Sequence, residues 1–155
     1  MTTNKELKSV NIWKLKQVKS KAVKYDFDPI GSPKDIITLF DKTDMYEATE
    51  EYFYIVCLAS NGKPIGIHEV SHGSVNASIV DMREVFKRAI LNNATSIICC
   101  HNHPSGNLSP SNEDIEVTAR LEESGHLLGI KVLDHVITDG QGGYKSLRAD
   151  GYMKY

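Results

Sequence analysis

The sequence predicts an α/β fold in which a mixed, largely buried β-sheet is sandwiched by helices. Three observations support this prediction. Asn61-Gly62 lies between two strand-like segments and is a strong β-hairpin signal. Residues 95–101 form an almost wholly apolar run, which is typical of a central strand covered on both faces. Residues 81–93 and 111–127 place apolar side chains at helical spacing.

Local signals define the elements in the first half of the chain. Ser32 is a favourable N-cap and Pro33 a favourable first-turn residue, so a short helix is expected to run to Phe40. The two strand-like segments that flank the Asn-Gly turn are residues 51–60 and 63–71. They predict a β-meander.

The second half of the chain alternates helices and strands. Asp81 is expected to cap the first of the two longer helices, and Gly129 to end the second. Two prolines and a glycine in 104–110 exclude both helix and strand, so this segment is a loop. Residues 130–138 predict another strand, and the tail from Tyr144 is expected to pack as a short strand or turn.

Length and composition indicate one self-sufficient soluble domain. A chain of 155 residues, 41% of them apolar, can bury its own core, so neither disulfides nor a structural metal is needed for folding. The longest apolar stretch, 52–59, is much shorter than the roughly 20 residues of a membrane span. We therefore expect no membrane association.

The cysteines and the first residues indicate the compartment. The three cysteines are odd in number, and Cys99 and Cys100 are adjacent, which is a poor disulfide framework. Residues 1–16 lack the apolar centre of a secretory signal. Both features favour the reducing cytoplasm.

Charge divides the chain into a basic leader, residues 1–30, and a domain, residues 31–155. Residues 1–25 contain seven lysines and one glutamate and so carry a charge of +6. Because the net charge of the whole chain is −2, the remaining residues carry −8. Val10 to Val18 alternates apolar and polar side chains, so we favour an edge strand over a nucleic-acid-binding arm. Weak nucleic-acid contact through the leader is the alternative.

The segment from His101 to Asp114 carries the strongest functional signal. Because side chains alternate along an extended chain, His101 and His103 project to the same side, and the following loop returns the chain to a helix whose first turn holds Asp114. Two imidazoles and one carboxylate leave the fourth position of a tetrahedral Zn²⁺ free for water. The pattern therefore predicts a catalytic zinc site.

Two further residues complete a predicted hydrolytic site. Glu69, at the end of the second hairpin strand, is the candidate general base, and the Ser111 hydroxyl is the candidate group that stabilises an oxyanion. Each has a structural alternative. Ser111 with Asp114 also fits a helix capping box, and Glu69 alone fits an ordinary strand-edge glutamate.

Other residues near this segment receive structural interpretations. We expect Cys99 and Cys100 to be buried strand cysteines and not zinc ligands. Asp134 and His135 are expected to support the site or to pack beside it. His101-Asn102-His103 does not indicate an HNH nuclease, because the three residues of that motif are spread over a ββα unit and are not consecutive.

The JAMM motif of the JAB1/MPN metalloprotease superfamily is similar to the run His101-x-His103-Pro104-(x)6-Ser111-x-x-Asp114 with its upstream glutamate. The wider sequence, over about residues 51–151, resembles the bacterial RadC branch of that superfamily. The matching segments are Gly73-Ser74-Val75-Asn76, Arg83-Glu84-Val85-Phe86, His101-Asn102-His103-Pro104-Ser105-Gly106 and Leu133-Asp134-His135-Val136-Ile137.

The resemblance implies a cytidine-deaminase-like α/β sandwich with zinc on His101, His103 and Asp114, Glu69 as base and Ser111 in support. RadC proteins often carry an N-terminal helix-hairpin-helix module, where this sequence has only the basic leader. The insertions by which eukaryotic relatives grip ubiquitin are also missing, so the resemblance does not identify the substrate.

Two function classes remain. The first is a zinc-dependent peptidase or isopeptidase that acts on a peptide or protein substrate. The second is a non-catalytic accessory protein of DNA repair or DNA metabolism, with a structural metal and a leader that contacts nucleic acid. The complete ligand set with a base favours the enzyme, and an inactive scaffold is rejected because no site position is missing.

Overall fold

A computed structural model describes residues 7–27, 29–73 and 80–155. Within these ranges the chain forms one five-stranded sheet and three helices, which confirms the predicted α/β class. The elements in chain order are α1 (Pro33–Phe40), β1 (Glu51–Leu58), β2 (Pro64–Gly73), α2 (Met82–Leu91), β3 (Ser96–Asn102), α3 (Asn112–Leu128), β4 (Lys131–Thr138) and β5 (Tyr144–Ser146).

The sheet is mixed, with strand order β2-β1-β3-β4-β5. Strand β1 pairs antiparallel with both β2 and β3, β3 pairs parallel with β4, and β5 is antiparallel to β4. Helix α3 makes the connection that a parallel pair requires. Every residue of the central strand β3 is buried, as its apolar sequence predicts.

Helices cover the sheet on both sides, so it separates two hydrophobic cores. We call one side the α1 face; its strand residues are Tyr54, Val56, Leu58, Ile98, Cys100 and Val136. We call the other side the α2–α3 face; its strand residues are Phe53, Ile55, Cys57, Ile97, Cys99 and Val132. Because side chains alternate along a strand, each residue's position decides which of the two faces it reaches.

The predicted helix ends and hairpin are confirmed. The backbone N–H of Ser32 donates to the Asp35 carboxylate (2.9 Å), and Asp81 accepts a hydrogen bond from the N–H of Arg83 (2.8 Å). Gly129 ends α3 with φ of 70°, a left-handed conformation that suits glycine. Gly62 likewise has φ of 80° in the turn between β1 and β2.

The leader differs from its prediction. The described residues 7–27 contain no strand, so the edge strand expected over Val10 to Val18 is wrong. Ile12 and Trp13 are 96% and 81% exposed. The physical reason is that alternation creates a strand only where a partner edge accepts its hydrogen bonds, and residues 7–27 gain no such partner within the described part of the chain. Val23 and Phe27, near its end, do pack on the α1 face.

Two sequence predictions include residues outside the described ranges. The basic leader includes residues 1–6, and the RadC-like sequence includes Ser74-Val75-Asn76. No helix in the described ranges is both long and apolar enough to cross a membrane.

Candidate metal centre

His101, His103 and Asp114 meet where β3 ends and the chain turns toward α3. His101 lies in β3, His103 just follows the strand, and Asp114 lies in the first turn of α3. The Nε2 atoms of the two histidines are 2.9 Å apart. Asp114 Oδ1 lies 3.1 Å from His101 Nε2, and its Oδ2 lies 3.4 Å from His103 Nε2. The structure therefore brings together the three side chains that the sequence selected as metal ligands.

The geometry of this group suits a metal ion. In a tetrahedral zinc site with metal–nitrogen bonds of about 2.0–2.1 Å, neighbouring ligand atoms lie about 3.3 Å apart. The shortest contacts among the three residues run from 2.9 to 3.4 Å, with a different Asp114 oxygen facing each histidine. One ligand atom from each residue lies within 4.8 Å of the other two, so the group could hold one cation.

The N-terminus of α3 fixes Asp114. The Ser111 backbone N–H donates to Asp114 Oδ2 (2.7 Å), and the Asp114 N–H donates to Ser111 Oγ (3.1 Å). This is the capping box that was one of the two interpretations of the pair. Burial alone would raise the pKa of Asp114, but the neighbouring His101 and His103 hold that pKa well below its ordinary value. Asp114 therefore presents a charged carboxylate.

His103 is oriented by the loop that follows it. Its Nδ1 lies 2.6 Å from the carbonyl oxygen of Asn107. Because a carbonyl oxygen only accepts, Nδ1 carries the hydrogen, and Nε2 faces Asp114 and His101. The hydrogen bond with Asp114 raises the pKa of His103 despite partial burial, and the charge of Glu51 contributes to the increase.

His101 is held from behind by a histidine on the neighbouring strand. His101 Nδ1 lies 2.7 Å from Nε2 of His135, which is 1% exposed. The pKa of His135 lies well below its ordinary value, chiefly because the ring is buried. His135 thus supports the site without joining the ligand group, in agreement with the sequence interpretation. Its other nitrogen contacts Thr118, a residue that the sequence analysis did not select.

Glu69 lies on the α1 face, away from the three potential ligands. It pairs with Tyr54 across β1 and β2, and Tyr54 donates a hydrogen bond to its carboxylate (3.4 Å). His72 Nδ1 contacts the other carboxylate oxygen at 2.5 Å. His101, by contrast, stacks on Phe53 of the α2–α3 face. The structure therefore does not bring Glu69 to the metal group.

A single β-bulge accounts for the position of Glu69. Ser71 pairs with Phe53, but the next register pair is Glu69 with Tyr54, so Val70 is the extra residue. Without this insertion Glu69 would face Ile55 on the α2–α3 face. A shift of one residue moves a side chain to the opposite face.

Glu51 is the carboxylate that β1 directs to the same face as His101. It lies two residues before Phe53, whose register partner in β3 is His101. If the antiparallel register is continued by two residues, Glu51 falls opposite His103. The negative charge of Glu51 helps to raise the pKa of His103. Glu51 is not evident from the sequence because its signal lies in strand pairing and not in motif spacing.

Asn102 fixes the segment that carries Glu51. Its Oδ1 accepts the N–H of Tyr52 (2.7 Å), and its Nδ2 donates to the carbonyl of Glu50 (2.8 Å). The paired residues of β1 and β3 end at Phe53 and His101, whereas the pairing of β3 with β4 continues and the His103 N–H donates to the carbonyl of Thr138 (2.8 Å). The Asn102 amide thus replaces the missing ladder and holds the residues on either side of Glu51.

The cysteines are structural, as predicted. Cys57, Cys99 and Cys100 are buried and free, and burial raises the pKa of the Cys57 thiol to about 12. Cys99 and Cys100 lie on opposite faces of the sheet, and neither belongs to the metal group.

Comparison with known proteins identifies relatives over most of the chain. Residues 30–152 match the family model described as RadC-like JAB domain. A UPF0758 protein of Caldanaerobacter subterraneus subsp. tengcongensis is 51% identical over 127 residues, which is 81% of this chain and 53% of that protein. A UPF0758 protein of Methanosarcina barkeri is 49% identical over 125 residues, 81% of this chain and 54% of that protein. The chain spans about half the length of these curated relatives.

Proposed function

This chain belongs to the RadC-like JAB domain family, and from that premise we propose that it is a zinc-dependent hydrolase of peptide or isopeptide bonds. The observation that carries the proposal is the convergence of two imidazole nitrogens and one carboxylate oxygen at the end of β3. Three protein ligands leave one tetrahedral position open, which is the arrangement of catalytic and not of structural zinc sites.

His101, His103 and Asp114 would hold the zinc ion. When bound, the ion supplies a Lewis acid that polarises a carbonyl oxygen and makes water nucleophilic near neutral pH. The protein fixes each of these side chains by a separate contact: His135 for His101, the Asn107 carbonyl for His103, and the capping box for Asp114. Preorganised ligands need little rearrangement on binding the ion.

Glu51 is the general base of this proposal. Its carboxylate accepts the proton of the attacking water and returns it to the leaving amine nitrogen. The support is its place in β1 two residues before Phe53, which pairs with His101, with Asn102 holding the backbone on both sides of Glu51. Glu69 remains the alternative base, and the two glutamates are separated by mutation below.

Ser111 would bind the developing oxyanion. Its Oγ accepts the Asp114 N–H, so its own hydrogen is available to donate to a substrate oxygen. The same residue would then both cap α3 and contact the substrate.

The proposed activity is tested with the zinc-loaded chain and a mixture of peptides and Lys-linked isopeptides, with products identified by mass spectrometry. We expect cleavage that chelation abolishes and added zinc restores, and that the His103→Ala variant lacks. Absence of cleavage by a chain that holds one zinc ion would contradict the proposal.

A second candidate is a non-catalytic accessory role in DNA repair or DNA metabolism. The supporting observation is the exposed basic leader, in which Trp13 is 81% exposed next to Lys14. This role predicts a salt-dependent DNA affinity that is lost when the leader lysines are replaced by glutamine, with no hydrolysis. DNA affinity that does not change with these substitutions would exclude the leader as the contact.

A further inference from the structure

A buried chain of hydrogen bonds joins the strand that carries His101 to the helix that carries Asp114. His101 Nδ1 lies 2.7 Å from His135 Nε2, and His135 Nδ1 lies 2.7 Å from Thr118 Oγ1. Thr118 Oγ1 lies 2.6 Å from the carbonyl oxygen of Asp114. His135 and Thr118 are 1% and 0% exposed, so water does not compete for these contacts.

The chemistry of each group gives this chain one direction. The Asp114 carbonyl oxygen can only accept a hydrogen bond, so the Thr118 hydroxyl donates its single hydrogen to it. Thr118 Oγ1 must then accept from His135, and the hydrogen of the His135 ring lies on Nδ1. Burial favours the neutral ring with a single N–H, which leaves His135 Nε2 as an acceptor.

The same direction fixes the tautomer of His101. Since His135 Nε2 accepts, His101 Nδ1 must donate and carries the ring hydrogen. His101 Nε2 is left with a lone pair, and this is the atom that faces His103 and Asp114. A histidine must offer such a lone pair to bind a metal.

We propose that Thr118 and His135 are positioning residues that set the tautomer of His101 and thereby the metal affinity of the centre. The proposal rests on the zinc-binding part of the proposed function and not on hydrolysis. Metal-binding histidines usually donate to a carboxylate or a carbonyl, which can only accept. The partner here is a second imidazole, which has two tautomers, so a further group must select one. Thr118 makes that selection.

Loss of the Thr118 hydroxyl should reverse the direction of the hydrogen bond between His101 and His135. In Thr118→Val the shape of the side chain is kept, but the N–H at His135 Nδ1 has no acceptor. The other tautomer, with hydrogen on Nε2, then donates to His101 Nδ1 and moves the His101 hydrogen to Nε2. The atom that would hold the metal becomes an N–H.

Zinc affinity in the wild type and in two Thr118 variants tests the proposal. We would measure it by competition with a chromophoric chelator for the wild type, Thr118→Val and Thr118→Ser. Loss of a supporting partner typically weakens metal affinity about 10–100-fold, and this is the decrease we expect for Thr118→Val. Thr118→Ser keeps the hydroxyl and should match the wild type. Equal affinities of the valine and serine variants would overturn the proposal.

The histidine tautomers of the metal-free wild type give a second test that needs no variant. Long-range ¹H–¹⁵N correlation spectra distinguish hydrogen on Nδ1 from hydrogen on Nε2. We expect the hydrogen on Nδ1 in both His101 and His135. Hydrogen on Nε2 of His135 would overturn the proposal even if Thr118→Val failed to fold. A wild type that bound no zinc would contradict the proposed function, while the spectra would still decide the tautomers.

Discussion

At the scale of single residues, Glu51 and Glu69 offer the same functional group on opposite faces of one hairpin. Glu69 contacts Tyr54 and His72 on the α1 face, whereas Glu51 lies two residues before Phe53, the β1 residue paired with His101. One inserted residue, Val70, creates this difference. Motif spacing selects residue types, but strand register decides which of them face the metal group.

Glutamine substitutions form a matched pair that identifies the base. Glu51→Gln should keep one zinc per chain and lower kcat by about 10²–10⁴, because the group that accepts the proton of water is lost. Glu69→Gln makes the same chemical change on the other face and should leave kcat within a few-fold of the wild type. Zinc content is measured by elemental analysis and kcat by steady-state hydrolysis.

A large fall of kcat in Glu69→Gln with little change in Glu51→Gln would identify Glu69 as the base. Loss of zinc from Glu51→Gln would identify Glu51 as a metal ligand.

Asn102 offers a graded test of how the base is held. Asn102→Ala removes both contacts to β1, whereas Asn102→Asp keeps the acceptor for the Tyr52 N–H and loses the donor to the Glu50 carbonyl. We expect kcat to fall more in the alanine than in the aspartate variant, with KM and zinc content nearly unchanged. An unchanged kcat in Asn102→Ala would show that this amide does not position Glu51.

At the scale of elements, the sequence predicts well whatever local chemistry decides. Ser32, Asp81 and Gly129 mark helix ends correctly because capping acts within one turn. The failures depend on contacts distant in sequence. Val10 to Val18 alternates like a strand but finds no edge, and the bulge at Val70 depends on how β2 meets β1. The grouping of His101 and His103 could be predicted because they lie two residues apart on one extended segment at the end of β3.

Gly125 in α3 provides a test in which helix propensity and packing disagree. Alanine is favoured over glycine in helix interiors by about 0.5–1 kcal/mol. A β-carbon at Gly125 would, however, meet the Ile130 carbonyl where α3 turns into β4. Because overpacking costs about 1–3 kcal/mol, Gly125→Ala should lower the free energy of unfolding in a denaturant titration. The exposed Glu123→Ala is the control and should change it little. Stabilisation by Gly125→Ala would contradict the close packing of α3 on Ile130.

At the scale of the whole molecule, we expect the fold not to depend on a metal. Two hydrophobic cores enclose the sheet, and the three potential ligands lie outside these cores, at the end of β3, in the following loop and at the start of α3. A domain of this size buries enough surface to fold alone. A metal bound by this group would therefore serve chemistry more than architecture.

Removal of metal should leave the domain folded. We expect the chelated chain to keep its far-ultraviolet circular dichroism and to unfold cooperatively, with a lower Tm than the zinc-loaded chain because zinc binds the folded state. Unfolding on chelation at room temperature would instead identify the centre as structural and favour the accessory role.

Elemental analysis of the zinc-loaded and desalted protein tests most directly whether His101, His103 and Asp114 together hold one zinc ion. We expect one zinc per wild-type chain and almost none in His103→Ala, which should remain folded. Full zinc occupancy in His103→Ala, or no zinc in the wild type, would show that these residues do not form the zinc site.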